Sequence, residues 1–307
     1  MIIQNMTTEK IYEYSNSPSL KPGSNSKSFS CVYNEIRNYH SNFPLEVSVQ
    51  RNMNFLAHWH SDIEIVQVLE GSVTMGINLE KRRLSKGDLV LLASGDIHYY
   101  ESFDTDSALL IIVFQSDLIP SISQQLQNSN VGYSIFDKSS FNSVNPGITN
   151  TIYSIIHQIH NEYINKLPQY DILIKGQLTV LVGMLLRYFH DCFHDKCKLK
   201  TNSDKSVVLV QEAIRYINLN YTDNISLKSI AEYLEVSTFY FSRIFSSLTG
   251  TTFKAYLNGV RINKAATLLL TTDRKIIDIA FECGFNSLRT FNRTYRFIKG
   301  NNPTSNR

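Results

Sequence analysis

The chain has 307 residues, 43% of them apolar and 19% charged, which is enough for two domains with separate buried cores. No apolar run approaches the roughly 20 residues of a membrane span, and the start MIIQNMTTEK lacks the basic, then apolar pattern of a secretion signal, so membrane and secreted classes are set aside. The small net charge of +3 hides an asymmetry: Ser206 to Arg307 carry 13 Lys and Arg against 7 Asp and Glu, whereas the preceding 205 residues are net −3 and hold all eight histidines. A basic C-terminal third on an acidic body fits a nucleic-acid module joined to something else. Four scattered cysteines (Cys31, Cys192, Cys197, Cys283) form no CxxC pair and fit a reducing cytoplasm.

Residues 1–30 read as a flexible arm, because 15–30 are polar with two Pro and one Gly. From 31 to 115 short apolar alternations are broken by Gly, Asp and Ser. Leu45, Val47 and Val49 alternate with polar neighbours, as do Val73, Met75, Ile77 and Leu79. With strands near IEIVQVL, DLVLL and ALLIIVF, this predicts an all-β unit, a small barrel or jelly roll. Inside it lies the sharpest chemical constellation, His58-Trp59-His60 followed by Glu64, then Gly71, Gly87-Asp88 and His98. Placed on one strand, His58 and His60 share a face, and Glu64 falls on it too. A third histidine from a later strand could complete a set of three His and one Glu able to bind a metal. This spacing resembles the cupin barrel, with Ala93 standing where a Pro is usual in the second motif. Trp59, Tyr99, Tyr100 and Phe103 could add aromatic walls to a pocket.

Residues 116–195 switch to helical periodicity, with helices expected near 150–165 and 171–194 around Pro168. Between Leu178 and Phe189 the second is apolar almost all round, through Val180, Leu181, Val182, Met184, Leu185 and Leu186. Such a helix must be covered on two sides. The β unit supplies one cover, and the same helix of a second subunit, in a homodimer, is the expected other; a wholly intramolecular core helix is the alternative. Residues 196–205 read as an interdomain linker.

From 206 to 307 helices follow one another, and a pattern repeats after fifty residues. Phe241-x-Arg243-x-Phe245 ends in Gly250, and Phe291-x-Arg293-x-Tyr295 ends in Gly300. Upstream of each lie an Ile-Ala pair (Ile230-Ala231, Ile279-Ala280) and a capping serine (Ser237, Ser287). Helix, tight turn and Ser-capped second helix is the helix-turn-helix outline. Phe239, Ser242, Arg243 and Ser246 face outward in the first unit, and Arg289, Asn292, Arg293 and Arg296 in the second, with Leu288 at the margin. Arg and Asn suit guanine and adenine edges in the major groove of double-stranded DNA. Between the units, a connecting helix from Phe253 to Leu270 would span about 27 Å, near the ~34 Å repeat of major-groove faces.

With Phe253, Tyr256, Leu257, Arg261, Ala265, Leu268 and Leu269 in a fixed pattern, then Asp278, Gly284, Phe285 and Pro303, the last hundred residues resemble the AraC/XylS family of bacterial transcription regulators. The resemblance implies an α+β multidomain protein: a cupin-like β-barrel, a helical dimerisation segment, and an all-α DNA-binding domain with two helix-turn-helix units. It implies base contacts by Phe239, Ser242 and Arg243 from the first recognition helix, and by Leu288, Arg289, Asn292 and Arg293 from the second. It also implies a small-molecule effector, with a carbohydrate as first expectation, contacted by His58, Trp59, His60, Glu64 and His98. Activation through RNA polymerase is implied too, with no cofactor and no catalysis. One departure is Thr304 to Arg307 after Pro303, where family members usually place an aromatic residue before the final Arg. The competing expectations are a cupin metalloenzyme, a dioxygenase or sugar isomerase, with an appended DNA-binding module, and a constitutive regulator without a ligand.

Overall fold

A computed structural model describes residues 43–102, 106–120, 133–189 and 200–306. The predicted arm, the cysteines Cys31, Cys192 and Cys197, Phe103, and residues 196–199 of the predicted linker lie outside them.

The β half contains two antiparallel sheets. One has five strands in the order β1 (Leu45–Arg51), β8 (Ala108–Phe114), β3 (Ile63–Glu70), β6 (Leu89–Leu92) and β9 (Ser134–Phe136). The other has four, β2 (Phe55–His58), β7 (His98–Glu101), β4 (Ser72–Ile77) and β5 (Glu80–Ser85). Their facing sides form one core, in which Val66, Val68, Val90, Leu92, Leu109, Ile111 and Val113 meet Val73, Met75, Ile77, Leu84 and Tyr100. The predicted end of this unit at 115 is too early, because β9 pairs with β6. Three residues of strand carry too little alternation to be visible in the sequence.

The outer side of the five-stranded sheet is buried as well. Leu45, Val47, Ile63, Ile65, Leu89, Leu91, Leu110, Ile112 and Phe114 pack against helices α1 (Lys138–Asn142), α2 (Pro146–Asn165) and α3 (Tyr170–Tyr188). Burial on both sides explains why β8 reads as the unbroken apolar run ALLIIVF. Asn145 caps α2 by accepting from the Gly147 N–H, with Pro146 at the first helical position. The helix α3 buries Ile174, Leu178, Leu181, Val182 and Leu185, and exposes Ile172, Leu173 and Val180 on its other side.

The C-terminal half starts with α4 (Lys200–Asn220), so helix already occupies 200–205 of the expected linker. The two helix-turn-helix units are α5 (Leu227–Tyr233) with α6 (Thr238–Thr249), and α8 (Ile276–Glu282) with α9 (Leu288–Lys299), joined by α7 (Phe253–Thr271). Ser237 accepts from the Tyr240 N–H and Ser287 from the Thr290 N–H, so both recognition helices begin as their serines predict. Gly250 and Gly300 end them in the left-handed conformation. Pro303–Asn306 form a 3-10 turn against α7 and α9, fixed by the Arg296 guanidinium donating to Asn302 Oδ1 at 2.7 and 3.0 Å. Arg296 is exposed, as expected, and also closes this turn, which the missing aromatic does not prevent.

The two units share a brace. From α7, Arg261 donates to the carbonyls of Tyr221 and Asp223, both at 2.7 Å, and its guanidinium lies 5.9 Å from the Phe285 ring centre in the second unit. At the second turn Gly284 has φ 83°, and a Cβ there would meet the Tyr221 and Thr222 carbonyls at 2.7 Å. That corner needs glycine for both conformation and space.

Candidate effector site and nucleic-acid interface

Alternation along the strands sorts the chemistry of the β half. Glu64 shares the interior face of β3 with Val66 and Val68, and His98 shares that of β7 with Tyr100. His58, at the end of β2, is paired directly with His98. His60 does not continue β2 as expected; it sits in the turn before β3 and reaches the same point from there. All four residues are 3% exposed or less.

Each imidazole is held the same way. Nδ1 of His58 donates to the Leu56 carbonyl at 3.0 Å, that of His60 to Asp62 at 3.0 Å, and that of His98 to Asp96 at 2.9 Å. The Nε2 atoms are thereby turned inward, where the three rings offer ligand atoms within 4.8 Å of one another. Glu64 joins them, its Oε2 lying 2.9 Å from His60 Nε2 and 3.6 Å from His98 Nε2, while Tyr100 donates its hydroxyl proton to Oε1. The latter gap is too long for a hydrogen bond, and His98 Nε2 is left buried without a partner. Burial, then the neighbouring His98 and His60, hold the His58 imidazole well below its ordinary range. Burial pushes the Glu64 carboxyl upward, but the hydrogen bond from His60 and the nearby His98 imidazole outweigh it and keep the group well below the usual carboxylate range.

Trp59 departs from expectation. Because side chains alternate, it points away from the histidines and packs with Leu56, Ala57, Ile97 and Tyr99 against Val210, Ile214, Ile217, Phe245 and Val260 of the C-terminal half. Tyr99 does likewise, whereas Tyr100 joins the interior. This outer face of the four-stranded sheet is the dock for the helix-turn-helix half, and composition carries no signal for it. Tyr256 of α7 donates to the Ala57 carbonyl at 2.7 Å, and Gln211 of α4 donates to the Gly95 carbonyl. The Tyr99 ring lies between Gly76 of β4 and Gly250 at the end of α6.

On the far side, the expected DNA-facing residues are accessible to different degrees. Phe239 is 80% exposed, and Arg243, Arg289 and Arg293 are exposed. Among the described residues these three arginines take part in no ion pair, although Arg274 of the same domain pairs with Glu282. Ser242 and Asn292 are half-buried, and Leu288 packs partly against the core of the second unit.

Comparison with known proteins agrees with this division. Residues 43–182 match the family model described as an AraC-like ligand binding domain, and residues 230–307 match that of a helix-turn-helix domain. An uncharacterized HTH-type transcriptional regulator of Bacillus subtilis, YdeC, is 24% identical over 265 residues, covering 85% of this chain and 89% of the relative. The melibiose operon regulatory protein of Escherichia coli is 25% identical over 260 residues, covering 80% and 82%. Among solved structures, ToxT of Vibrio cholerae is similar over 85% of this chain and 97% of its own, at 13% identity and a TM-score of 0.44. With a ligand-binding half and a helix-turn-helix half matched in that order on one polypeptide, the chain belongs to the AraC family of transcription regulators.

Proposed function

We infer that this regulator reads two neighbouring stretches of major groove, α6 through Phe239, Ser242 and Arg243, and α9 through Leu288, Arg289, Asn292 and Arg293. The observation that carries this reading is the pair of Ser-capped helices presenting exposed, uncommitted arginines at matching positions, joined by the 19-residue rod α7. Such guanidiniums are free to take guanine edges or phosphates. The exposed Ile172, Leu173 and Val180 of α3, with Leu167 beside them, serve as the homodimer contact, since this apolar stripe has no cover within the chain's described residues. The histidine cluster is the point at which an effector acts on the β half. The match of this half to a ligand-binding domain of transcription regulators favours sensing over turnover. The protein works in the cytoplasm, where the regulated DNA lies, and activates by contact with RNA polymerase.

Selection of bound genomic fragments by the purified full-length chain tests this. The expected result is an enriched pair of half-sites separated by about one helical turn, 10–10.5 bp. Recovery of unenriched genomic sequence would refute sequence-specific reading.

A further inference from the structure

We propose that the β half senses a divalent transition-metal ion of the zinc class, held on Nε2 of His58, His60 and His98 with the Glu64 carboxylate, and reports its occupancy to the DNA-binding half through strands β2 and β7. This names the ligand class at the effector point and rests on the proposed function for its regulatory consequence only. The expected carbohydrate gives way here to an ion for reasons of size. Ring centres in the cluster are 4.1 Å apart for His58 and His98, 5.1 Å for His60 and His98, and 5.9 Å for His58 and His60. Ligand pockets for organic molecules usually have about 300–1,000 Å³, whereas zinc takes imidazole nitrogens at about 2.0–2.1 Å and brings them to within about 3.3 Å of one another. Nitrogens already inside 4.8 Å need to close by at most about 1.5 Å to reach that spacing.

The chemistry of the set points the same way. Three Nδ1–H groups committed to backbone carbonyls aim the three Nε2 atoms at one point, as an outer shell around a metal does, and an ion bound there displaces the proton that His60 Nε2 donates to Glu64. A buried His98 Nε2 without a partner is costly in a protein interior, and an ion is the partner its position suits. Tyr100 holds the carboxylate from behind. Imidazole nitrogen with one carboxylate suits zinc, iron or nickel, and is a poor set for calcium or magnesium.

The readout follows from alternation. His58 and His98 are paired across β2 and β7, and the same two strands present Leu56, Tyr99 and the Ala57 carbonyl to the DNA-binding half. Leu56 packs on Gly259 of α7 and Tyr99 on Gly250 of α6, so drawing the two histidines together moves the seat of both helices.

The test uses the full-length chain, stripped with a chelator and titrated with Zn2+ by calorimetry, with bound metal counted by mass spectrometry. The expected result is one ion per chain, at least 100-fold weaker in H98Q and in H58Q/H60Q, and unchanged in H157Q. Co2+ loaded in its place gives the visible absorption of a four-coordinate site, lost in H98Q, and circular dichroism of each variant confirms the fold. Affinity for the selected half-site DNA, measured with and without Zn2+, is expected to change at least 5-fold, at the lower end of allosteric couplings. No stoichiometric ion, binding that survives in H58Q/H60Q/H98Q, or DNA affinity unchanged by a bound ion each overturns the proposal. A chain that binds the ion but no specific DNA sinks the proposed function instead, so the two failures are separable.

Discussion

Replacing Gly250 by Ala probes the contact between the halves. Gly250 has φ 68° at the end of α6, where a side chain costs about 1–2 kcal/mol for the left-handed conformation. The new Cβ would also lie 2.6 Å from Cζ and 2.7 Å from Oη of Tyr99. Ordinary contact begins near 3.4 Å, so the ring must retreat by most of an ångström. It has nowhere to go, since its other side rests on Gly76, where an ideal Cβ would fall 2.0 Å from Cε1. Overpacking of this kind costs about 1–3 kcal/mol, which brings the expected destabilisation to about 2–5 kcal/mol. Tyr99→Ala removes the obstructing ring, and in that background Gly250→Ala should cost only the backbone part, about 1–2 kcal/mol. The double-mutant cycle by urea unfolding therefore predicts a coupling of about 1–3 kcal/mol in the direction of relief. Two-domain chains need not unfold in one step, so fluorescence of Trp59, which sits in the shared core, is the probe that follows the contact itself. Effects of the two changes that add to within about 0.5 kcal/mol would refute the wedge and the seat it provides for α6.

Further expectations follow from the same geometry. Arg293→Ala should weaken binding to selected DNA by about 1–3 kcal/mol and relax preference at one base position, and a binding-site selection with the variant checks both. An unchanged preference would remove Arg293 from base reading. Val180→Asp, on the exposed side of α3, should leave thermal stability within about 0.5 kcal/mol yet shift the chain towards monomer in analytical ultracentrifugation. A chain that sediments the same with and without the charge does not use this face. Arg261→Ala should destabilise the DNA-binding half by about 2 kcal/mol, because it strips two backbone carbonyls of a charged donor, and part of that value is lost to solvent as the side chain is only half-buried. Thermal unfolding reads the effect, and a loss below about 0.5 kcal/mol would show that Arg261 is no brace.

The helix-turn-helix half was legible because its signals are local. Ser237 and Ser287 each satisfy a backbone N–H three residues on, Gly250 and Gly300 each supply a left-handed cap, and the apolar spacing sets the buried stripe of each helix. Those requirements bind neighbours in the chain, so they leave a readable pattern. The four ligand-type residues were legible for a different reason, since the spacing of His58, His60, Glu64 and His98 resembles that of a known barrel motif. The start of α4 and the strand β9 were misjudged or missed, and in each case the deciding partner (the body of the helix, β6) is not signalled by residue type.

The sequence by itself determined two halves of different periodicity, a duplicated reading unit and the residues gathered at the interior of the β half. It did so because helix caps, alternation and burial each constrain residues that are close in the chain. Only the tertiary structure decided that Trp59 and Tyr99 belong to the dock and not to the cluster, and that His60 arrives from a turn. It also decided that the strands bearing His58 and His98 carry the DNA-binding half on their backs. Those facts depend on which sheet face meets which helix, and that choice is made by packing between segments up to 199 residues apart.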